Sequence, residues 1–175
     1  MSSLADRAAV RPRNNPPPPA PAVDPDTALL RLAGEVRNEH ALIIGPNALE
    51  LMCGLIRRGA AEVSLLRYGV RPERASVDLA VATEIGSPEQ ALPVVAHARR
   101  ALTASGRLIV RTTADSTGRL AKLVAQMLRL NGFSAVRARR AGDRTLVTGV
   151  LPWFGPLPPA PSNGRTASCV HAPAS

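Results

Sequence analysis

The chain has 175 residues, 45% of them hydrophobic, enough for one domain with a buried core and tails. No apolar run is long enough to cross a bilayer, and aromatic residues make up only 2% of the chain, so base stacking on aromatic side chains has almost nothing to work with. The net charge of +9 is concentrated late: from Ser105 onward ten basic residues stand against two acidic ones, a surface that attracts phosphate-bearing partners. All the basic residues except Lys122 are arginine, and in a chain so rich in Ala, Pro and Gly biased codon use explains much of that.

The opening MSSLADRAAVRPR lacks the apolar centre of a secretory signal and carries Asp6, which predicts a cytoplasmic protein. It runs into RPRNNPPPPAPAVDP, whose consecutive prolines remove backbone donors and hold the chain extended. Residues 1–23 are therefore expected to form a disordered, Pro-rich arm, and the Pro-, Ser- and Ala-biased residues 155–175 a disordered tail. Cys53 falls in an apolar helical stretch, whereas Cys169 falls in the tail with His171. Neither cysteine has metal-ligand spacing, and no disulfide is expected in the cytoplasm.

Residues 24–154 read as one ordered domain. Asp24 and Pro25 form a helix start, and Leu29, Leu32, Ala33 and Val36 recur at helical spacing, giving a helix to about Asn38. HALIIG follows as a short strand buried on both faces. Asn47 with Glu50 resembles a capping box, opening a helix that Gly59 stops after Arg58. EVSLLR and VDLAVATEI are the next two strands. A helix is expected from Pro88 to Thr103, then the strand GRLIVRTT, then a helix ending at Asn131 and Gly132. SAVRARRAGDRTLVTGVLP alternates on both sides of a Gly-Asp turn, the pattern of an antiparallel hairpin. Strands alternating with helices predict an α/β domain, a mostly parallel sheet covered on both faces in three layers and ending in that hairpin.

In this order and hydrophobic pattern, residues 26–151 resemble the class I S-adenosylmethionine-dependent methyltransferases, which have a Rossmann-like doubly wound fold. The best-matched parts are LIIG…LELMCGLIRRGAAEV, SVDLAVATEI…ALPVVAHARRALTASGRLIV and the closing hairpin. The resemblance implies a cofactor site at Gly45, Pro46, Asn47, Arg67, Ala82 and Thr83, with S-adenosylmethionine as the ligand. It also implies three glycines at alternate positions in the first loop, where this chain has Gly45, Asn47 and Leu49. Glycine gives a ligand access to the backbone, and a Cβ fills that space. Asn47 is expected to fold onto its own helix N-terminus, and Leu49 to fill the vacated space as a core residue. Ile43 stands where the family often has an acidic residue in the first strand.

A second departure is electrostatic. The family ends its second strand with an acidic residue that accepts hydrogen bonds from the ribose hydroxyls, and here that position holds Arg67. Hydrogen bonds to a charged acceptor contribute about 1.5–3 kcal/mol each, so their loss weakens adenosyl binding ~10- to ~1,000-fold. An arginine there is also how dinucleotide folds accept a ribose phosphate, but the glycine fingerprint which that NADP reading needs is missing. Only YGVRPERAS joins the second strand to the third, so the family's intervening helix and strand are shortened or gone. The N-terminal helix is the sole candidate lid.

Few residues offer chemistry. Thr83 and Glu84 are the polar candidates in the loop where this family approaches the methyl group. Glu84 reads either as a base or as a solvated carboxylate. His97 reads as a half-buried structural residue, and His40 sits at the opposite edge. No nucleophile set, phosphate-binding loop or metal cluster is expected. Arg137 and Arg139 share a strand face, with Arg140 and Arg144 flanking the turn, so this group can hold an acidic partner or nucleic-acid backbone, or simply guard a sheet edge. The leading expectation is a methyltransferase-like domain with an eroded cofactor site, acting by binding or regulation. Its partner would be another protein or a full-length methyltransferase relative. The alternatives are a small active methyltransferase of unknown acceptor and a basic nucleic-acid accessory module.

Overall fold

The computed structural model describes residues 25–46, 48–66, 70–113 and 117–153. The expectations of disorder for residues 1–23 and 155–175, the tail residues Cys169 and His171, and the side chains of Asn47 and Arg67 lie outside the described residues.

Helix α1, Pro25–Ala33, opens with Asp26 in its first turn, where a carboxylate meets the positive end of the helix dipole. It stops five residues before the apolar spacing suggests, because Gly34 takes the left-handed conformation (φ 69°). Val36 is nonetheless fully buried, placed by the returning loop rather than by the helix. Strand β1, His40–Ile44, is buried at four of its five residues. Helix α2, Leu49–Arg57, has Ala48 at its N-cap position with no side-chain cap, so the expected capping residue stands one place too early. Strands β2, Glu62–Leu66, and β3, Val77–Ile85, follow. Helix α3, Pro88–Ala101, is capped by Ser87, whose hydroxyl accepts from the Gln90 N–H, with Pro88 where no donor is needed.

Strand β4, Leu102–Thr112, begins four residues before the expected Gly106. Leu102 pairs with Val77, but Arg107 already pairs with Leu79, so the extra residues bulge out around Ser105 (φ 70°). Helix α4, Arg119–Leu130, ends as expected at Asn131 and Gly132. Strands β5, Ser134–Ala141, and β6, Arg144–Val150, form the antiparallel hairpin.

The six strands form one sheet in the order β2-β1-β3-β4-β6-β5, parallel from β2 to β4 and antiparallel at β6 and β5. Alternation splits the core cleanly. Ala41, Ile43, Leu79, Val81 and Ile109 pack beneath α1 and α2, while Leu42, Ile44, Ala80, Leu108 and Val110 pack beneath α3 and α4. This is the expected three-layer α/β arrangement. β1 connects to β2 on one side and neighbours β3 on the other, so the strand order reverses between β1 and β3. Crevices for ligands open at the carboxyl ends of strands beside such a reversal.

One buried ion pair fixes α1 to the sheet. Arg111 of β4, only 7% exposed, places Nη1 2.7 Å from Asp26 Oδ1. At the other end of α1, Arg107 donates to the Ala33 carbonyl at 2.7 Å. Arg107 also holds Glu39, with Nη1 donating to Oε1 at 2.9 Å and Nη2 lying 2.8 Å from Oε2. A charge left alone in a buried pair is costly, whereas removing both charges is nearly neutral. Asp26→Ala should therefore lower unfolding free energy by about 3 kcal/mol. Asp26→Ala with Arg111→Met should recover most of that loss, as read by urea denaturation. A single variant as stable as the wild type would show the pair to be inert.

Candidate functional site

The carboxyl ends of β1 and β3, the edge where such a strand order places ligands, carry Gly45, Pro46, Thr83 and Glu84. Gly45 has φ 124°, a conformation that L side chains rarely adopt. A Cβ added there would stand 2.5 Å from Thr83 Oγ1. Thr83 is 1% exposed, and its hydroxyl donates to the Pro46 carbonyl at 2.7 Å. Its own carbonyl accepts from Arg111 Nε. The space beside Gly45 is thus taken by a side chain of the same molecule, and the loop after β1 is tied down onto β3.

The structure brings Gly45, Pro46 and Thr83 into contact with one another. Ala82 is buried in the core beneath α3 and α4, so its side chain packs and offers a ligand nothing. Leu49 is not the core residue expected. It is 72% exposed on the first turn of α2, because the helix directs Leu51 and Leu55 inward and leaves Leu49 outside. Asn47 and Arg67 lie outside the described residues. Among the described residues of β2 the one carboxylate is Glu62, at the amino end of the strand, away from the crevice.

Glu84 is neither a free base nor a fully solvated carboxylate. Its Oε1 lies 2.9 Å from Arg144 Nη1, an ion pair that straps the end of β3 to β6 across the intervening β4. That contact also removes Arg144 from the expected basic cluster. Arg137, Arg139 and Arg140 are exposed on β5, and Arg140 donates to the Gly142 carbonyl. His97 is half-buried in α3, as expected. His40 opens β1 at the opposite edge, where its backbone N–H and the Thr103 hydroxyl both donate to Asp78. Among the described residues, no group of three or more His, Cys, Asp and Glu side chains is placed to hold a metal ion.

Asp26 and Arg111 were missed by sequence reasoning. The available signal was an arginine inside the apolar run LIVRTT, a placement a buried strand tolerates only when the charge is paired.

No protein-family model matches the sequence, and no curated protein matches it. Solved structures do share the fold. An S-adenosylmethionine-dependent methyltransferase from Mesorhizobium loti superposes with a TM-score of 0.55 at 14% identity, over 73% of this chain and 98% of that one. The 1,6-didemethyltoxoflavin-N1-methyltransferase of Burkholderia thailandensis, solved with bound 1,6-didemethyltoxoflavin and S-adenosylhomocysteine, gives 0.55 at 18% identity over 75% and 79%. A 16S rRNA N2 G1207 methyltransferase from T. thermophilus, solved with AdoMet and guanosine, gives 0.53 at 22% identity. There the match covers 81% of this chain and 43% of that one. The chain therefore has the class I methyltransferase fold, with its Rossmann-like sheet and terminal hairpin.

Within that fold, the cradle tests whether these residues suit an adenosyl cofactor. Gly45 is explained by its positive φ and by the Thr83 side chain, and the position of the third glycine holds an exposed, branched leucine. The described residues therefore do not build the glycine cradle that the ligand would lie against. Gly45→Ala should cost about 2–4 kcal/mol, from strain at positive φ plus the contact with Thr83. Adding Thr83→Ala should make the two losses less than additive in thermal or urea unfolding. Strict additivity would mean that Thr83 is not what excludes a side chain at 45.

Proposed function

We propose that this protein is a methyltransferase-fold domain whose cofactor crevice has been rebuilt as structure, and that it acts by binding or regulation rather than by methyl transfer. The observation that carries the reading is Thr83. Its side chain fills the space beside Gly45 and its hydroxyl holds the Pro46 carbonyl. Among the described residues, polar groups at this edge are engaged with one another: Thr83 with Pro46 and Arg111, Arg111 with Asp26, and Glu84 with Arg144. A methyl transfer needs the acceptor and the sulfonium held in line, and an acceptor that loses a proton needs a base nearby. Glu84, the candidate base, lies 2.9 Å from the Arg144 guanidinium, so its carboxylate is engaged within the chain rather than presented to an acceptor.

Retention of Gly45 at positive φ supports the competing reading of a small active methyltransferase, since the loop keeps a shape from which backbone groups can hold S-adenosylmethionine. A basic nucleic-acid module is the weaker alternative: with Arg144 engaged by Glu84, it has Arg137, Arg139 and Arg140 left to work with.

Isothermal titration with S-adenosylmethionine and S-adenosylhomocysteine separates the first two readings. The rebuilt crevice gives no saturable heat up to millimolar ligand, whereas a Kd of about 10 μM, some 7 kcal/mol of binding, would restore the enzyme. Any RNA or duplex affinity should be tested against salt. Binding through three arginine contacts falls steeply as salt rises, and a flat response removes that reading.

A further inference from the structure

A concavity lies at the opposite end of the strands from Thr83, beside the amino ends of β3 and β4. It measures about 590 Å³ and sits between the loop that enters β3 and the carboxyl ends of α3 and α4. Three arginines line it: Arg74 of the loop, and Arg99 and Arg100 of the last turn of α3. Ala96, Leu102 and Asn131 are also in the wall, which carries no carboxylate among the described residues. None of the three guanidinium groups belongs to an ion pair among those residues.

Arginine at the end of a helix has an ordinary reading, because a cation there offsets the helix dipole and caps the last carbonyls. Here other groups meet much of that need. The Arg100 and Ala101 carbonyls accept from the Ala75 and Ser76 N–H groups at 3.0 and 2.8 Å. Arg99 Nη1 donates to the Asn131 carbonyl just past the end of α4. Two helix ends carry about half an elementary charge each, so one cation balances them and about two positive charges remain. Arg74 stands on a turn and has no helix of its own to offset.

The arginines are also held in place. Arg100 Nε donates to the Pro72 carbonyl at 2.9 Å, which uses one of its five donors and leaves both terminal nitrogens for another acceptor. The bonds from Ala75 and Ser76 fix the Arg74 turn to α3. A guanidinium fork anchored in this way suits phosphate, whose oxygens accept two parallel hydrogen bonds.

We infer that this cavity is a binding site for a small phosphate-bearing ligand with two or more negative charges, gripped by Arg74 and Arg100 with Arg99 beside them. The uncompensated charge selects an anion, and the count of about two selects a multivalent one. The volume lies in the range of ordinary small-ligand pockets. Three charges around one hollow match a single ligand better than the repeating charge of a polynucleotide backbone. The site goes beyond the reading of the Gly45–Thr83 edge and does not depend on it, since it occupies the other end of the strands.

Isothermal titration of the full chain with inorganic pyrophosphate in ~0.15 M salt should show one saturable site with a Kd below ~1 mM. Arg74→Gln should weaken that binding about tenfold, and Arg74→Gln with Arg100→Gln about a hundredfold. Arg137→Gln with Arg139→Gln removes the same charge from β5 and should leave the affinity unchanged. Pyrophosphate should raise the Tm of the wild type and not that of the Arg74→Gln, Arg100→Gln variant. The single Arg74→Gln variant should melt as the wild type does without ligand, because the side chain has no hydrogen-bond partner among the described residues. The absence of saturable pyrophosphate binding, acetate binding as tight as pyrophosphate, or equal weakening by the β5 pair would each overturn the inference. So would binding of single-stranded RNA or anionic lipid vesicles that pyrophosphate does not displace.

Discussion

Thr83 is the point at which four parts of the chain are joined. Its hydroxyl holds the loop after β1 through Pro46, its carbonyl holds Arg111 of β4, and Arg111 holds Asp26 at the start of α1. A buried guanidinium costs several kcal/mol to desolvate and is tolerable only when its donors are met. Here Nε is met by the Thr83 carbonyl and Nη1 by the Asp26 carboxylate. The position of α1, the shape of the first loop and the occupation of the space beside Gly45 all follow from that requirement.

The fold and its chemistry therefore point in different directions. The sheet order, the reversal between β1 and β3 and the hairpin at the far edge give the class I methyltransferase fold. A fold of this kind supplies a crevice, but function depends on what lines it. In this chain the lining is internally hydrogen-bonded, and α1 is held down by a charge pair rather than resting as a loose cover. Similar bracing occurs beside the crevice, where Glu84 and Arg144 link β3 to β6. Each of these bonds engages a polar group near the carboxyl ends of the strands.

Much of the architecture was legible because burial imposes a period. HALII reads as a strand buried on two faces, VDLAVATEI as a further strand, and RLAKLVAQMLRL as part of a helix that ends at Asn131 and Gly132. Errors fell where a backbone conformation overrode the pattern. Gly34 ended α1 although Val36 still fitted the helical spacing, and the bulge at Ser105 let β4 begin directly at the end of α3. Leu49 was misjudged for a related reason. Hydrophobicity says that a leucine gains by burial, but the helix can turn only one face inward, and Leu51 and Leu55 occupy it.

By itself the sequence determined the order of strands and helices, the closing hairpin and the departures from a glycine-rich loop, all of which depend on near neighbours and on hydrophobic period. Tertiary structure alone decided the partners of the polar groups. Asp26 and Arg111 are 85 residues apart, Glu84 and Arg144 are 60, and Pro46 and Thr83 are 37. Local patterns place a charge on a strand, but only the packing of distant segments decides whether that charge meets a ligand or another part of its own chain.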